Sequence, residues 1–174
     1  MEWKTKDGNY ESTQYADYDT FFEGIFPKER LLDILKNFTC FSHEEKGSAK
    51  ILSGYHQYFA VRKAVERTVK ATNGDGKIGV FWHTQGSGKS LTMVMLVKKI
   101  QYLKASEHPR FVIVTDRVSL DKQIRDNFAN SQMAPVRAAT GKGLKTILKD
   151  KGNLVVTTLI NKFETVCKNH YLEV

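Results

Sequence analysis

Gly86, Gly88, Lys89 and Ser90 stand together in the string Ile78-Gly-Val-Phe-Trp-His-Thr-Gln-Gly-Ser-Gly-Lys-Ser-Leu-Thr-Met-Val94. Their types and spacing suit one kind of chemistry, the holding of a polyphosphate. The two glycines let the backbone bend so that successive N–H groups converge on one anion. The positive end of a helix beginning at Lys89 adds to the same point. Lys89 would place its ammonium on the β- and γ-phosphates, and the Ser90 hydroxyl would join the shell of a phosphate-bound Mg²⁺. A nucleoside triphosphate with Mg²⁺ is therefore the expected ligand. A ligand-free glycine turn is the alternative, but such a turn has no use for Lys-Ser directly after Gly-x-Gly. His83 occupies the place where the general phosphate-loop pattern has a further glycine.

That cradle needs a strand before it and a helix after it. Ile78–Trp82 reads as a buried strand and Lys89–Lys104 as a helix. Alternating segments follow. Phe111–Thr115 reads as a fully buried strand, and Ser119–Phe128 as a helix opened by Ser119 and Asp121. Pro135–Ala139 reads as a short strand, Lys142–Lys149 as a helix and Leu154–Thr158 as a strand. A further helix starts at Leu159. The pattern predicts an α/β fold with a parallel sheet and crossover helices, ligands sitting at the C-terminal strand ends. Upstream, Pro27–Asn37 and Gly54–Ala71 read as helices. Residues 1–26 show no sustained period and read as an arm with aromatic anchors. The expected organisation is an arm over 1–26, a helical linker over 27–71, and the first part of a nucleotide-binding domain over 72–174.

At 174 residues and 41% hydrophobic content, one domain with an appended arm is expected. No apolar run approaches the roughly 18–20 residues that span a bilayer, and no secretion signal opens the chain. Cys40 and Cys167 are far apart and lack metal-like spacing, which suits free thiols in a cytoplasmic protein. His43, His56, His108 and His170 have no clustered acids or cysteines, so no metal site is expected from them. Trp82, Met93 and Met95 read as core. The formal charge is +8, with six acids against two lysines in residues 1–24 and a net +12 beyond. A basic body suits a nucleic-acid partner or plain solubility. Glu2-Trp-Lys4 has half of a nuclease motif, but no upstream acid completes it.

Four ordered blocks resemble the restriction (R) subunit of type I restriction enzymes. They are Tyr55-His-Gln-Tyr-Phe-Ala-Val-Arg-Lys-Ala-Val-Glu66, Gly79-Val-Phe-Trp-His-Thr-Gln-Gly-Ser-Gly-Lys-Ser-Leu-Thr-Met93, Val114-Thr-Asp-Arg-Val-Ser-Leu-Asp-Lys-Gln123 and Val156-Thr-Thr-Leu-Ile-Asn-Lys-Phe163. Arg30–Phe38 is similar to the segment that joins that family's nuclease to its motor. The shortened phosphate-loop pattern is typical of superfamily 2 helicases.

The resemblance implies an incomplete RecA-like motor domain, preceded by a short helical linker, that couples ATP hydrolysis to pulling double-stranded DNA. It implies partner methylation and specificity subunits, the latter holding the DNA-site information. Carried over, Tyr55 and Gln57 would hold the adenine. Thr84, Gln85, Gly86, Ser87, Gly88, Lys89, Ser90 and Leu91 would bind the nucleotide, with Lys89 as the catalytic cation and Ser90 on the metal. Thr115, Asp116 and Arg117, with Thr157 and Thr158, would lie along the DNA path.

The resemblance also implies an Asp-Glu-x-His block after residue 163, an arginine finger and an upstream nuclease, none of which these residues supply. The expectation is a fragment that binds nucleotide weakly, hydrolyses little alone and exposes an apolar sheet edge. Another superfamily 2 helicase, or a non-catalytic nucleic-acid-binding remnant, are the competing readings.

Overall fold

A computed structural model describes residues 3–9, 17–44, 47–103, 109–150, 152 and 155–171. The chain forms two compact units, residues 1–105 and 106–174. The phosphate loop therefore shares a unit with the arm and the linker helices.

The first unit begins with α1 (Tyr18–Ile25), capped by Asp17, whose carboxylate accepts from the Thr20 N–H at 2.6 Å. This helix falls in a stretch whose sequence shows no sustained period. It has only eight residues, too few for a period to emerge. Next come α2 (Lys28–Asn37), then an antiparallel pair, β1 (Thr39–Glu44) and β2 (Gly47–Leu52), in the register Thr39↔Leu52 to Glu44↔Gly47. The pair went unread in the sequence because its strands carry few β-branched residues and no Asn-Gly or Asp-Gly turn. Helices α3 (Tyr55–Ala71) and α4 (Lys89–Gln101) complete the unit.

The core of this unit gathers Ile34 and Phe38 from the α2 end, Tyr58, Val61 and Val65 from α3, and Val94, Met95 and Val97 from α4. Trp3 is buried with them, its ring 5.8 Å from Tyr58 and 5.9 Å from Phe59. The arm's aromatic anchor is thus a core residue. Lys99 pairs with Asp33 at 2.5 Å, tying α4 to α2.

The expected strand Ile78–Trp82 does not form. Among the described residues its backbone has no ladder partner, and Gly79 at φ +115° breaks the extended geometry. Val80 is 94% exposed and Trp82 89%. Trp82 and the partly exposed Met93 are therefore not core residues as the sequence suggested, whereas Met95 is.

The second unit holds a parallel sheet in the order β3-β5-β4, from β3 (Phe111–Thr115), β4 (Val136–Ala138) and β5 (Val155–Leu159). Helices α5 (Val118–Asn130), α6 (Gly141–Lys149) and α7 (Ile160–Tyr171) alternate with the strands. Thr140 caps α6 by accepting from the Gly143 N–H at 3.0 Å. Central β5 is buried over Val155–Thr158, while Ala138, Leu144 and Val156 form a core with Ile147, Leu148 and Phe163 against it. Edge strand β3 is not fully buried as expected, since Val112 and Val114 are exposed. Successive side chains point to opposite faces of the sheet, and the face that carries Val112 and Val114 is the less covered one, so the burial of β3 alternates.

Cys40 is a buried thiol. The Leu154 and Lys104 boundaries, and the side chains of His43, His108, Cys167 and His170, lie outside the described residues. Among the described residues no helix is long and apolar enough to cross a membrane, and no cluster of three metal-ligating side chains occurs.

Candidate nucleotide site

The loop before α4 takes its shape from two glycines. Gly86 and Gly88 lie at φ +80° and +76°, where a Cβ is strained. Ser87 closes the turn, its Oγ donating to the Thr84 carbonyl at 2.8 Å. Lys89, the first residue of α4, curls back so that its Nζ donates to the carbonyls of His83 at 3.0 Å and Thr84 at 2.7 Å. The ammonium is thereby held inside the loop. Among the described residues no side chain caps α4, which leaves its first-turn N–H groups available to an anion. Ser90 follows, half-buried, on that first turn, with Leu91 after it. Thr92 secures the start of the helix by donating to the Gly88 carbonyl at 3.1 Å. Gln85 and Gly86 are exposed at the tip.

The start of α3 is fastened to this loop. Gln57 is buried; its Oε1 accepts from the Gly54 N–H at 2.9 Å and its Nε2 donates to the Gly88 carbonyl at 3.2 Å. Both ends of the amide that the resemblance assigns to adenine thus engage the protein itself. His56 Nε2 lies 3.3 Å from the Ser87 carbonyl, a loop contact the sequence reading did not single out. Tyr55 is half-buried and meets Trp3 edge-on at 6.4 Å.

Between α3, the loop and the arm lies a cleft of about 630 Å³. Tyr55, His56 and Phe59 line one side and His83, Thr84 and Ser87 another, while Thr5, Gly8 and Asn9 form the third. No motif pointed to the arm residues; only the fold brings them there. The His83 ring meets Phe81 at a tilt, 4.3 Å between centroids, and His56 edge-on at 5.0 Å. Burial pushes the His83 pKa below its ordinary value, and the neighbouring His56 and Lys89 charges push the same way. A neutral imidazole beside the loop leaves Lys89 as its cation.

The residues fit the expected ligand. The glycine tip is open, with nothing within 4 Å of a Cβ built at Gly86, and an ammonium and a hydroxyl stand at the helix start. Gly86, Gly88 and Lys89 would hold the phosphates of ATP, and Ser90 a phosphate-bound Mg²⁺. A metal held there would supply charge neutralisation on the phosphate oxygens.

In the second unit, Asp116 and Arg117 are exposed beyond the end of β3 and pair at 3.4 Å. Thr115, Thr157 and Thr158 are buried in the sheet, and among the described residues the hydroxyls of Thr115 and Thr157 have no hydrogen-bond partner. Of the five residues assigned to the DNA path, the structure presents Asp116 and Arg117 at the surface. Asp121, read from the sequence as a helix-start acid, is wholly buried, and its carboxylate meets Arg125 and Arg137, each at 3.2 Å.

The family model described as SWI2/SNF2 ATPase matches residues 56–173. The chain belongs to this family. The family match and the α/β architecture with its parallel sheet fit a RecA-like fold. Over 93% of its length the chain is 34% identical to a Methanocaldococcus jannaschii protein provisionally named type I restriction enzyme MjaIXP endonuclease subunit. Over 75% of its length it is 38% identical to the type I restriction enzyme HindI endonuclease subunit of Haemophilus influenzae. It is 30% identical, over 66%, to the type I restriction enzyme SsaAORF53P endonuclease subunit of Staphylococcus saprophyticus. The resemblance drawn from the four sequence blocks is borne out by these relatives. The chain spans 16%, 13% and 12% of their respective lengths.

Proposed function

We propose that this SWI2/SNF2 ATPase chain is the ATP-binding part of the DNA-translocating motor of a type I restriction endonuclease subunit. One observation carries the reading: the Lys89 ammonium held on the His83 and Thr84 carbonyls at the mouth of an uncapped helix. A phosphate oxygen competes directly for that ammonium, so nucleotide binding re-sorts the loop's hydrogen bonds. Gln57 and His56 pass the change to α3. Lys89 neutralises charge on the transferring phosphoryl group, the electrostatic part of phosphoryl transfer.

In this reading residues 1–26 are an arm, 27–71 a helical linker and 72–174 the first part of the motor. Arg117, exposed and paired among the described residues with Asp116 at the surface, is in this reading a DNA-backbone contact. Thr115, Thr157 and Thr158 support it from within the sheet. Methylation and specificity subunits are the partners in the assembled enzyme, and the compartment is the cytoplasm. The Haemophilus relative's name, that of an endonuclease subunit of a type I restriction enzyme, supports a multi-subunit setting.

The test is nucleotide-coupled DNA binding. Anisotropy of labelled duplex DNA is titrated with the chain, with and without a non-hydrolysable ATP analogue and Mg²⁺, over a salt series. The reading predicts that nucleotide shifts DNA affinity and that Lys89→Ala removes the shift. A steep salt dependence untouched by nucleotide would favour a purely electrostatic nucleic-acid binder instead.

A further inference from the structure

The arm contributes a wall to the nucleotide cleft, and that wall carries an oriented amide. Trp3 fixes the arm, buried among Tyr55, Tyr58 and Phe59. A Cβ at Gly24 would stand 2.1 Å from the Trp3 ring, so the indole lies directly on α1. Lys63 of α3 donates to the Gly8 carbonyl at 3.4 Å, and Arg30 to the Lys6 carbonyl at 2.6 Å. Inside this frame Thr5 Oγ1 accepts from the Gly8 N–H at 3.1 Å and donates to the Asn9 carbonyl at 2.9 Å. The segment is a compact turn with Asn9 on the cleft.

Asp7 sets which end of the Asn9 amide faces outward. Its Oδ2 accepts from Asn9 Nδ2 at 2.7 Å and its Oδ1 from the Asn9 N–H at 2.9 Å. These hydrogen bonds, the backbone one foremost, hold the Asp7 carboxyl below its ordinary pKa. It is therefore ionised at neutral pH and only accepts. An acceptor beside the amide demands the NH₂ end, so Oδ1 is the end of this cleft-lining amide that Asp7 leaves free. Among the described residues no hydrogen bond to Oδ1 is formed.

Resting on the proposed nucleotide site, we infer that Asn9 is a specificity-determining residue that reads the base through Oδ1. An acceptor suits the exocyclic amine of adenine and opposes the carbonyl oxygen of guanine at the same place. The arm thus selects ATP over GTP while the loop holds the phosphates that both share.

The experiment measures binding of ATP, GTP and inorganic triphosphate, each with Mg²⁺, to the 174-residue chain and to Asn9→Ala, Asp7→Ala and Lys89→Ala. Asn9 and Asp7 are at or near the surface, and circular dichroism confirms folding of each variant. Asn9→Ala is expected to weaken ATP about five-fold, the range of one hydrogen bond, and to leave triphosphate unchanged. Asp7→Ala frees the amide to turn, so the ATP:GTP ratio falls toward one. Triphosphate binding that depends on Lys89, with an ATP:GTP ratio the same in all arm variants, overturns the inference and leaves the loop reading standing. Triphosphate binding that is absent, or indifferent to Lys89→Ala, removes the loop reading and this inference with it.

Discussion

Gln57 Nε2 donates to the Gly88 carbonyl at 3.2 Å, and a Cβ built on Gly88 would stand 2.6 Å from that same nitrogen. The helix that opens at Tyr55 and the loop that ends at Gly88 are packed to contact, with no room for a methyl group. Gly86 has equal need of a left-handed backbone but open space around it. Gly86→Ala should therefore cost about 1 kcal/mol in strain alone, and Gly88→Ala about 2–3 kcal/mol, since it must also displace Gln57. Urea denaturation of the two variants checks the order. Equal losses would mean that Gln57 is not seated on the loop.

His83 gives the first unit a pH dependence of definite sign. Its pKa is lowered in the folded chain from an ordinary value of 6.5, first by burial and then by His56 and Lys89. As pH falls through 6.5 the unfolded chain takes up the proton and the folded one does not, so protons favour unfolding. The His83 contribution is intact above 6.5, erodes below it, and levels off under the folded pKa. Denaturation midpoints between pH 7.5 and 5 should fall, and His83→Gln should flatten that part of the fall. In Lys89→Ala the imidazole pKa should rise, read directly by NMR titration. A His83 pKa unmoved by loss of Lys89 would contradict the placement of the ammonium.

Asp121 organises the second unit. Its buried carboxylate faces Arg125 one turn along α5 and Arg137 on β4. Asp121→Ala leaves both guanidinium groups without their acceptor. Because Arg137 keeps contact with water, the cost should fall below that of a wholly buried pair, at about 2–3 kcal/mol. Asp121→Asn keeps an acceptor and should cost less. Thermal melts of the two variants test the ranking; indistinguishable melting points would sink it.

The apolar stretch Ile78–Trp82 is exposed and, among the described residues, unpaired in its backbone, a combination that invites association between chains. Val80→Lys should reduce concentration-dependent light scattering while leaving the melting temperature within about 0.5 kcal/mol equivalent of the parent, as for other surface substitutions. Scattering unchanged by Val80→Lys would place the sticky surface elsewhere.

That stretch also marks where sequence reading reached its limit. A strand is a property of a pair, so Val80, Phe81 and Trp82 advertise β structure that an unpartnered backbone does not adopt. Helices close their own hydrogen bonds, and α2, α3, α4, α5 and α6 all fall within a few residues of where periodicity and capping put them. The loop glycines were legible because their chemistry is local. The burial of Gln57 was not, since its partners lie about thirty residues away at Ser87 and Gly88. The places of Trp3 against α3 and of Asn9 on the cleft were illegible for the same reason: nothing near them in sequence states what their neighbours will be.

The most direct measurement is equilibrium binding of a fluorescent ATP analogue with Mg²⁺ to this chain beside Lys89→Ala. The account predicts saturable binding that the variant weakens by about ten-fold or more, on the order of 1.4 kcal/mol. Equal binding by the two proteins, or none by a folded parent chain, would contradict it.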